Sequence, residues 1–484
     1  MVKQVRNFFL IAAIILVTES LGATTPNILW IMFDDGRADA LGCYDAPWAK
    51  TPNLDALAAN GVRFKTAVVQ NPVCFPSRTS IKTGLYAHQT GVMAMGKPAK
   101  NPGAYRKHIR PELPHLLKGW IAAGIEPINV GKLHAFKSDF QQIGTVDAIV
   151  NNNGDLTPYG KTVVHDNSFE RVRTDLHQWM IGGVVDIDAK HLRPSRLGEI
   201  AVDQIRKLGA SDKPFFLRVS FHSPHVANVI DREHFIDPAT IKLPLPTPES
   251  LATKPTYEKE HIRVYAGATL NKKQIGIGRG TYYGMVHLVD DAVGRLIETL
   301  KDVGLFENTI IAVNSDQGFQ LGEHGVWKKR DFYDNNVCIP MIFHYPKALP
   351  QGKVIEDPVE SIDFLPTLLD LCELEAPDNI EAQSLLPLIR GEAPPRSEAV
   401  FSEHDHAADI YDELRDTGRR RVMVRTKEWK LVIFMDERLS EKDGALYDLK
   451  NDPGERINLF NDPKYKSTIQ RLNTMAVQWD KRTR

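Results

Sequence analysis

Three short apolar runs, each emptying into polar residues, constrain the fold of this chain most. Asn27-Ile-Leu-Trp-Ile-Met-Phe33 runs into Asp34-Asp35-Gly36, and Thr309-Ile-Ile-Ala-Val-Asn314 runs into Ser315-Asp316-Gln317-Gly318. Pro214-Phe-Phe-Leu-Arg-Val-Ser-Phe221 leads in the same way to His222-Ser-Pro-His225. Continuous rather than alternating hydrophobicity over so few residues predicts strands buried on both faces, the habit of parallel sheets. Helical stripes lie between them, at Leu197, Ala201, Ile205 and Leu208 and at Val286, Val289, Val293, Leu296 and Leu300. Strands alternating with helices predict an α/β chain with a large, mainly parallel sheet sandwiched by helices. Ligands of such sheets bind beyond the carboxyl ends of the strands, so the polar ends are expected to converge.

Composition supports a sizeable core and excludes several classes. With 484 residues, 42% hydrophobic and 25% charged, the chain is neither disordered nor collagenous nor a coiled coil. Lys+Arg 60 against Asp+Glu 61 leaves a net charge of −1, so no nucleic-acid partner is expected. At the N-terminus, Lys3 and Arg6 precede the apolar run Phe8 to Val17, and the small residues Ser20, Gly22 and Ala23 follow. This pattern predicts a signal peptide over residues 1–23 and an exported protein, periplasmic or secreted. The run is half the roughly twenty residues a spanning helix needs, so no membrane span is expected once the signal is removed. The four cysteines, Cys43, Cys74, Cys338 and Cys372, permit two disulfides in an exported chain, though one this large does not need them.

Residues 226–280, rich in Pro, Lys and Glu, read as loops that shape a pocket. The stretch Gly391-Glu-Ala-Pro-Pro-Arg396 marks a boundary, and Arg421 to Phe434 reads as a hairpin. The expected division is a signal peptide (1–23), a main domain (24–390) and a smaller C-terminal α+β subdomain (391–484). Arg419-Arg-Arg421 reads as a solvated turn rather than a binding patch. The sequence sets no oligomeric state.

The chemistry centres on Cys74-Phe-Pro-Ser-Arg78, continuing to Thr83-Gly84. Cys, Pro, Ser and Arg at this spacing resemble the signature of the type I sulfatases, and the blocks around Asp316-Gln317 and Gly322-Glu-His-Gly325 are similar to those of iduronate-2-sulfatase-like members. The resemblance implies an alkaline-phosphatase-like fold, with residues 24–390 as the sulfatase catalytic domain. It also implies conversion of Cys74 to formylglycine by a maturation enzyme. The hydrated aldehyde offers one hydroxyl to attack sulfur and a second whose deprotonation later expels sulfate, which a plain serine lacks. It implies further a Ca²⁺ ion held by the oxygens of Asp34, Asp35, Asp316 and Gln317 together with the modified side chain at Cys74.

By the same resemblance Arg78 supports the modified side chain and Lys132, in Gly131-Lys-Leu-His134, binds sulfate or the hydrated side chain. His134 becomes a general base, His225 donates to the leaving oxygen or binds sulfate, and Lys329 binds sulfate with Lys328 as its neighbouring alternative. His222 is a weaker candidate than His225, and His324 reads as structural. The implied activity is hydrolysis of O-sulfate esters of a sulfated carbohydrate. Relatives with the same signature hydrolyse phosphorus esters, so a phosphodiesterase or phosphonate monoester hydrolase is the alternative. A glycan-binding protein that never matures Cys74 is a third reading.

Overall fold

The computed structural model describes residues 25–93, 112–133, 170–173, 178–226, 229–265, 270–405, 420–435 and 443–484. Its central sheet has seven strands: β1 (Asn27–Asp34), β2 (Val62–Phe64), β3 (Pro127–Gly131), β4 (Phe216–Pro224), β5 (Thr309–Ser315), β6 (Met341–His344) and β7 (Lys353–Ile355). The order across the sheet is β7-β2-β6-β5-β1-β4-β3. All pairings are parallel except those of β6 with its two neighbours. The predicted strands, β5, β1 and β4, are thus neighbours in this sheet.

Alternation of side chains across the pleat divides β1 between two layers. Ile28, Trp30 and Met32 enter one hydrophobic cluster, and Leu29, Ile31 and Phe33 enter the other. The second layer is built by helices α1 (Pro52–Ala59), α3 (Arg193–Gly209) and α4 (Lys272–Asp302), which contribute Leu54, Leu197, Ala201, Val286, Val289 and Val293. On the opposite face lies α5 (Phe364–Leu371). Helix α2 (Cys74–Thr83) is buried along its whole length and ends at Gly84 in the left-handed conformation.

Residues 226–280 differ from the expected loops. They contain helices at Pro248–Ala252 and Thr256–Tyr265, and α4 already starts at Lys272. Its start is set by a capping box, Asn271 with Gln274. Gly276, Gly278 and Gly280 are helical positions against which other chain packs closely.

The C-terminal sheet is antiparallel, with strands β8 (Val400–Asp405), β9 (Arg420–Arg425), β10 (Trp429–Phe434) and β11 (Ala445–Asp448) in sequence order. Met423 and Val432 face the main core, whereas Val422, Val424, Leu431 and Ile433 face helix α6 (Lys466–Thr483) with its Leu472, Ala476 and Trp479. The hairpin over 421–434 therefore forms, but the arginine run before it is no solvated turn. Arg421 is 1% exposed, with its guanidinium 4.8 Å from the Tyr257 ring centre, and Arg420 reaches Glu403 at 2.5 Å. Arg419 lies outside the described residues. All four cysteines are free thiols, so neither permitted disulfide forms.

Two sets of contacts tie this sheet to the main domain. The Glu403 backbone N–H donates to the Gln70 carbonyl (2.9 Å), and Asn71 Nδ2 donates to the Glu403 carbonyl (2.8 Å). Lys430 Nζ reaches the Phe332 carbonyl (2.8 Å) and Asp334 (2.6 Å), which Arg425 also grips (2.8 Å).

Glu403 itself is buried, yet Arg420 and His88 outweigh the cost of burial and push its carboxyl from 4.5 down to about 2. A depressed carboxylate contributes stability that is present above pH 4.5 and lost as pH falls toward 2, here on the order of 3 kcal/mol. Glu403→Gln is expected to lower Tm at neutral pH and to flatten the fall of Tm on acidification. A thermal melt at neutral pH indistinguishable from wild type would contradict this.

Candidate active site

The site forms where four parallel strands stop. Asp34 ends β1 and Asp35 follows it; Asp316 and Gln317 follow β5; Lys132 follows β3; His222 lies near the end of β4 and His225 just beyond it. Asp35 adopts a left-handed backbone (φ 65°), which Asp tolerates better than most residues, and the turn keeps both successive carboxylates inside the fold. Cys74 opens helix α2 beneath this rim and is 1% exposed.

Arg78, one turn into α2, is the hub. Its Nε donates to Asp316 Oδ2 (2.6 Å), and Nη1 donates to Ser220 Oγ (2.9 Å) and to the Lys132 carbonyl (3.3 Å). Asp316 Oδ1 accepts from the backbone N–H of Asp35 (3.2 Å) and of Gln317 (2.9 Å). Lys132 Nζ pairs with Asp34 Oδ2, and Gln317 Nε2 donates to Asp35 Oδ1.

Lys329 Nζ lies 2.5 Å from Asp35 Oδ1 and 3.7 Å from Cys74 Sγ. Of the two lysines, Lys329 turns into the site, while Lys328 belongs to a short strand paired with Gln320 and is partly exposed. Lys329→Ala is expected to lower kcat/KM for an aryl sulfate by on the order of 10²-fold, and Lys328→Ala to leave it near wild type. Equal losses in the two variants would refute the assignment.

His225 Nδ1 donates to the Val226 carbonyl (2.6 Å), which turns Nε2 toward the carboxylates, 4.0 Å from Asp35 Oδ2. Burial holds this imidazole below its usual range against the pull of Asp35 and Asp34. His222 is pushed down to about 3, chiefly by burial. His324 stacks on Tyr333 at 3.5 Å between ring centres. His134 lies outside the described residues.

The carboxylate group fits a hard cation. Asp34 Oδ1, Asp35 Oδ2 and Gln317 Oε1 are buried acceptors without a hydrogen-bond partner, which is costly unless a positive ion accepts them. Ligand atoms of Asp34, Cys74 and Asp316 lie within 4.8 Å of one another, as do those of Asp34, Asp35 and His225. Burial drives Asp316 up to about 7 despite Arg78, and the negative Asp34 beside it adds to the rise. Asp34 itself is held well below the carboxylate range, because Lys132, with His225, Arg78 and Lys329, overcomes the cost of burial. Burial likewise raises the Cys74 thiol, more than Lys329 and Lys132 lower it.

The sulfatase family profile matches residues 26–374, and a profile described as N-sulphoglucosamine sulphohydrolase, C-terminal, matches 322–482. The chain belongs to the sulfatase family. It is 26% identical to an N-acetylglucosamine-6-O-sulfatase of Bacteroides thetaiotaomicron, over 94% of this chain and 86% of that one. Human iduronate 2-sulfatase is also 26% identical, over 92% and 93%. The structure of a phosphonate monoester hydrolase from Silicibacter pomeroyi superposes with a TM-score of 0.78 at 25% identity, covering 95% and 96%. Membership makes this chain a hydrolase of sulfuric esters with an alkaline-phosphatase-like fold.

Several residues that position this sulfatase centre carried no local sequence signal. Ser220 orients Arg78 from β4, alongside the signature residue Ser77, whose hydroxyl donates to the Asp316 carbonyl. Tyr282 of α4 donates to the Asp35 carbonyl (2.6 Å) and accepts from the Arg37 N–H (3.1 Å). Arg37 in turn bonds Glu323 at 2.5 Å and so ties the Asp35 turn to the loop leading to Lys329. Only the helical period around Val286, extended one turn back, could have pointed to Tyr282.

Proposed function

We propose that this chain is an exported sulfatase that removes O-sulfate esters from a carbohydrate, using formylglycine at position 74 and a calcium ion. The observation that carries the reading is the trio of unpartnered buried oxygens, on Asp34, Asp35 and Gln317, gathered around Cys74 and Lys329. Three carboxylates there face three cations, Arg78, Lys132 and Lys329, so the protein groups alone present an anionic ester with no net attraction. Asp34, Asp35, Asp316 and Gln317 would hold calcium, which supplies the missing positive charge and polarises an oxygen bound to it. The all-oxygen donor set favours this class of ion over a transition metal.

An unmodified Cys74 is a poor nucleophile, because burial keeps it protonated at neutral pH. Formylglycine would supply a hydroxyl pair in its place. Since Cys74, Ser77 and Arg78 are all buried, a maturation enzyme must act before the chain folds. The protein's own groups then do the following. Lys132 and Lys329 bind the sulfate oxygens and Arg78 orients the reacting side chain; His225, whose Nδ1 proton is engaged by Val226, takes up a second proton from solvent at Nε2, favoured by Asp35 and Asp34, and passes it to the departing sugar oxygen. His134 acts as base in the release of sulfate.

Export rests on the N-terminal pattern of Lys3, Arg6 and the following apolar run, which lies outside the described residues. Among the described residues no helix is long and apolar enough to cross a membrane. A carbohydrate substrate is supported by the N-acetylglucosamine-6-O-sulfatase and iduronate 2-sulfatase relatives. The phosphonate monoester hydrolase likeness favours a second reading, hydrolysis of phosphorus esters. Parallel assays of an aryl sulfate and an aryl phosphate diester separate the two, before and after chelation and calcium return. Faster sulfate turnover that chelation removes and calcium restores is expected; faster diester turnover would overturn the first reading. A panel of defined sulfated oligosaccharides then tests the sugar.

A further inference from the structure

A second cluster of metal-binding side chains lies on helix α4, outside the catalytic centre. Gly280 and Gly284, four residues apart on this helix, leave a groove in which the chain from His234 to Ile236 rests. A Cβ at Gly284 would come within 2.7 Å of the His234 carbonyl oxygen, and one at Gly280 within 2.5 Å of that of Ile236. This contact fixes His234 beside the next turn of α4, where His287 and Asp291 project together at i and i+4.

Asp291 reaches toward both rings. Its Oδ2 lies 2.9 Å from His234 Nε2 and its Oδ1 lies 3.9 Å from His287 Nε2, with the ring centres 4.8 Å apart. Ligand atoms of His234, His287 and Asp291 all lie within 4.8 Å of one another. Behind them Asp231 engages the far nitrogen of His234, with Nδ1 2.9 Å from Oδ1 and 2.8 Å from Oδ2. Asp231 Oδ1 also accepts the backbone N–H groups of Glu233 (2.9 Å) and His234 (3.1 Å).

An ion-pair triad of Asp231, His234 and Asp291 would account for His234 alone. It leaves His287 unexplained, because 3.9 Å is too long for a hydrogen bond to Asp291 and its Nδ1 is buried without a partner. We propose that His234, His287 and Asp291 form a second metal site, for a zinc-class divalent ion, which clamps the segment after His225 onto helix α4. Two imidazoles and one carboxylate are the donor set of such ions, with water completing a tetrahedron. Ligand atoms around tetrahedral zinc stand about 3.3 Å apart. Asp291 places Oδ2 2.9 Å from one imidazole nitrogen and Oδ1 3.9 Å from the other, so small rotations of these side chains suffice to reach that spacing. A carboxylate on the second nitrogen of a ligating histidine, as Asp231 provides, sets the tautomer and strengthens the donor. The catalytic centre offers mostly oxygens and this one mostly nitrogens, so the two select different ions.

The test uses the full, calcium-loaded protein titrated with Co²⁺ and then Zn²⁺. Expected are the visible d–d bands of four-coordinate cobalt, their bleaching by one equivalent of zinc, and a rise in Tm with zinc. His287→Ala and Asp291→Asn, both changes on the outer side of a long helix, should lose the bands and the rise. His287→Ala should retain aryl sulfate turnover in zinc-free buffer. Asp231→Asn should weaken zinc by about 10- to 100-fold. Cobalt spectra and zinc response equal in wild type and His287→Ala, or absent from folded wild type, would reduce the cluster to an ion pair and overturn the proposal. Bands that persist in His287→Ala would arise at the catalytic centre.

Discussion

Cys74→Ala is expected to abolish turnover of an aryl sulfate, by on the order of 10⁴-fold or more, while the protein melts close to wild type. The loss follows from removing the group that attacks, an effect of this size wherever a covalent nucleophile is deleted. Stability is spared because alanine leaves the N-terminus of α2 intact, and the ion pairs around Arg78 do not involve the sulfur. The measurement pairs steady-state kinetics with a melting curve on the same preparation. Appreciable activity in this variant would remove the basis of the proposed chemistry. Mass spectrometry of the wild-type peptide holding Cys74 adds an independent reading, since an unconverted thiol in fully active protein would be equally fatal to it.

Asp316→Asn is expected to do two kinds of damage. The carboxylate accepts from Arg78 Nε and from the backbone N–H groups of Asp35 and Gln317, so an amide nitrogen meets a donor on whichever side it falls. Arg78 is buried, and stripping it of its anionic partner costs about 3–5 kcal/mol. The variant should therefore melt lower than wild type and turn over at least about 10³-fold more slowly, because the cation cage loses a ligand and the Asp35 turn loses its anchor. The contrast with Cys74→Ala is the informative part: a large activity loss in both variants, with a stability loss in Asp316→Asn alone. An Asp316→Asn protein that melts like wild type would show that Arg78 finds compensation elsewhere.

The parts of the site that were legible in sequence are those whose chemistry is contiguous. Asp34-Asp35-Gly36 and Ser315-Asp316-Gln317-Gly318 each sit at the end of a run whose burial is evident from composition, and parallel pairing of β1 with β5 brings them together. Cys74 and Arg78 share one helix, so their spacing alone predicts a common face. Ser220 and Tyr282 were hidden because their roles depend on pairings across 142 and 247 positions of chain, with no local pattern to mark them. The start of α4 was hidden for a different reason. Glycine in isolation argues against a helix, and only the neighbouring segment lodged on Gly280 and Gly284 makes it the right residue there. Arg420 and Arg421 looked solvated because sequence shows charge but not the Glu403, Tyr257 and Asp480 groups that receive it.

Strand β8, near residue 400, secures the stretch just before Cys74 through its bonds to Gln70 and Asn71, and Lys430 braces the loop beyond Lys329. The ribosome delivers those supports more than 300 residues after Cys74. A nascent chain several hundred residues long thus has Cys74 made but not yet locked away, and under the proposed maturation this order of synthesis would give a modifying enzyme its interval of access. Shortening the chain from the carboxyl end would accordingly prolong exposure of the thiol while denying it a finished pocket in which to work.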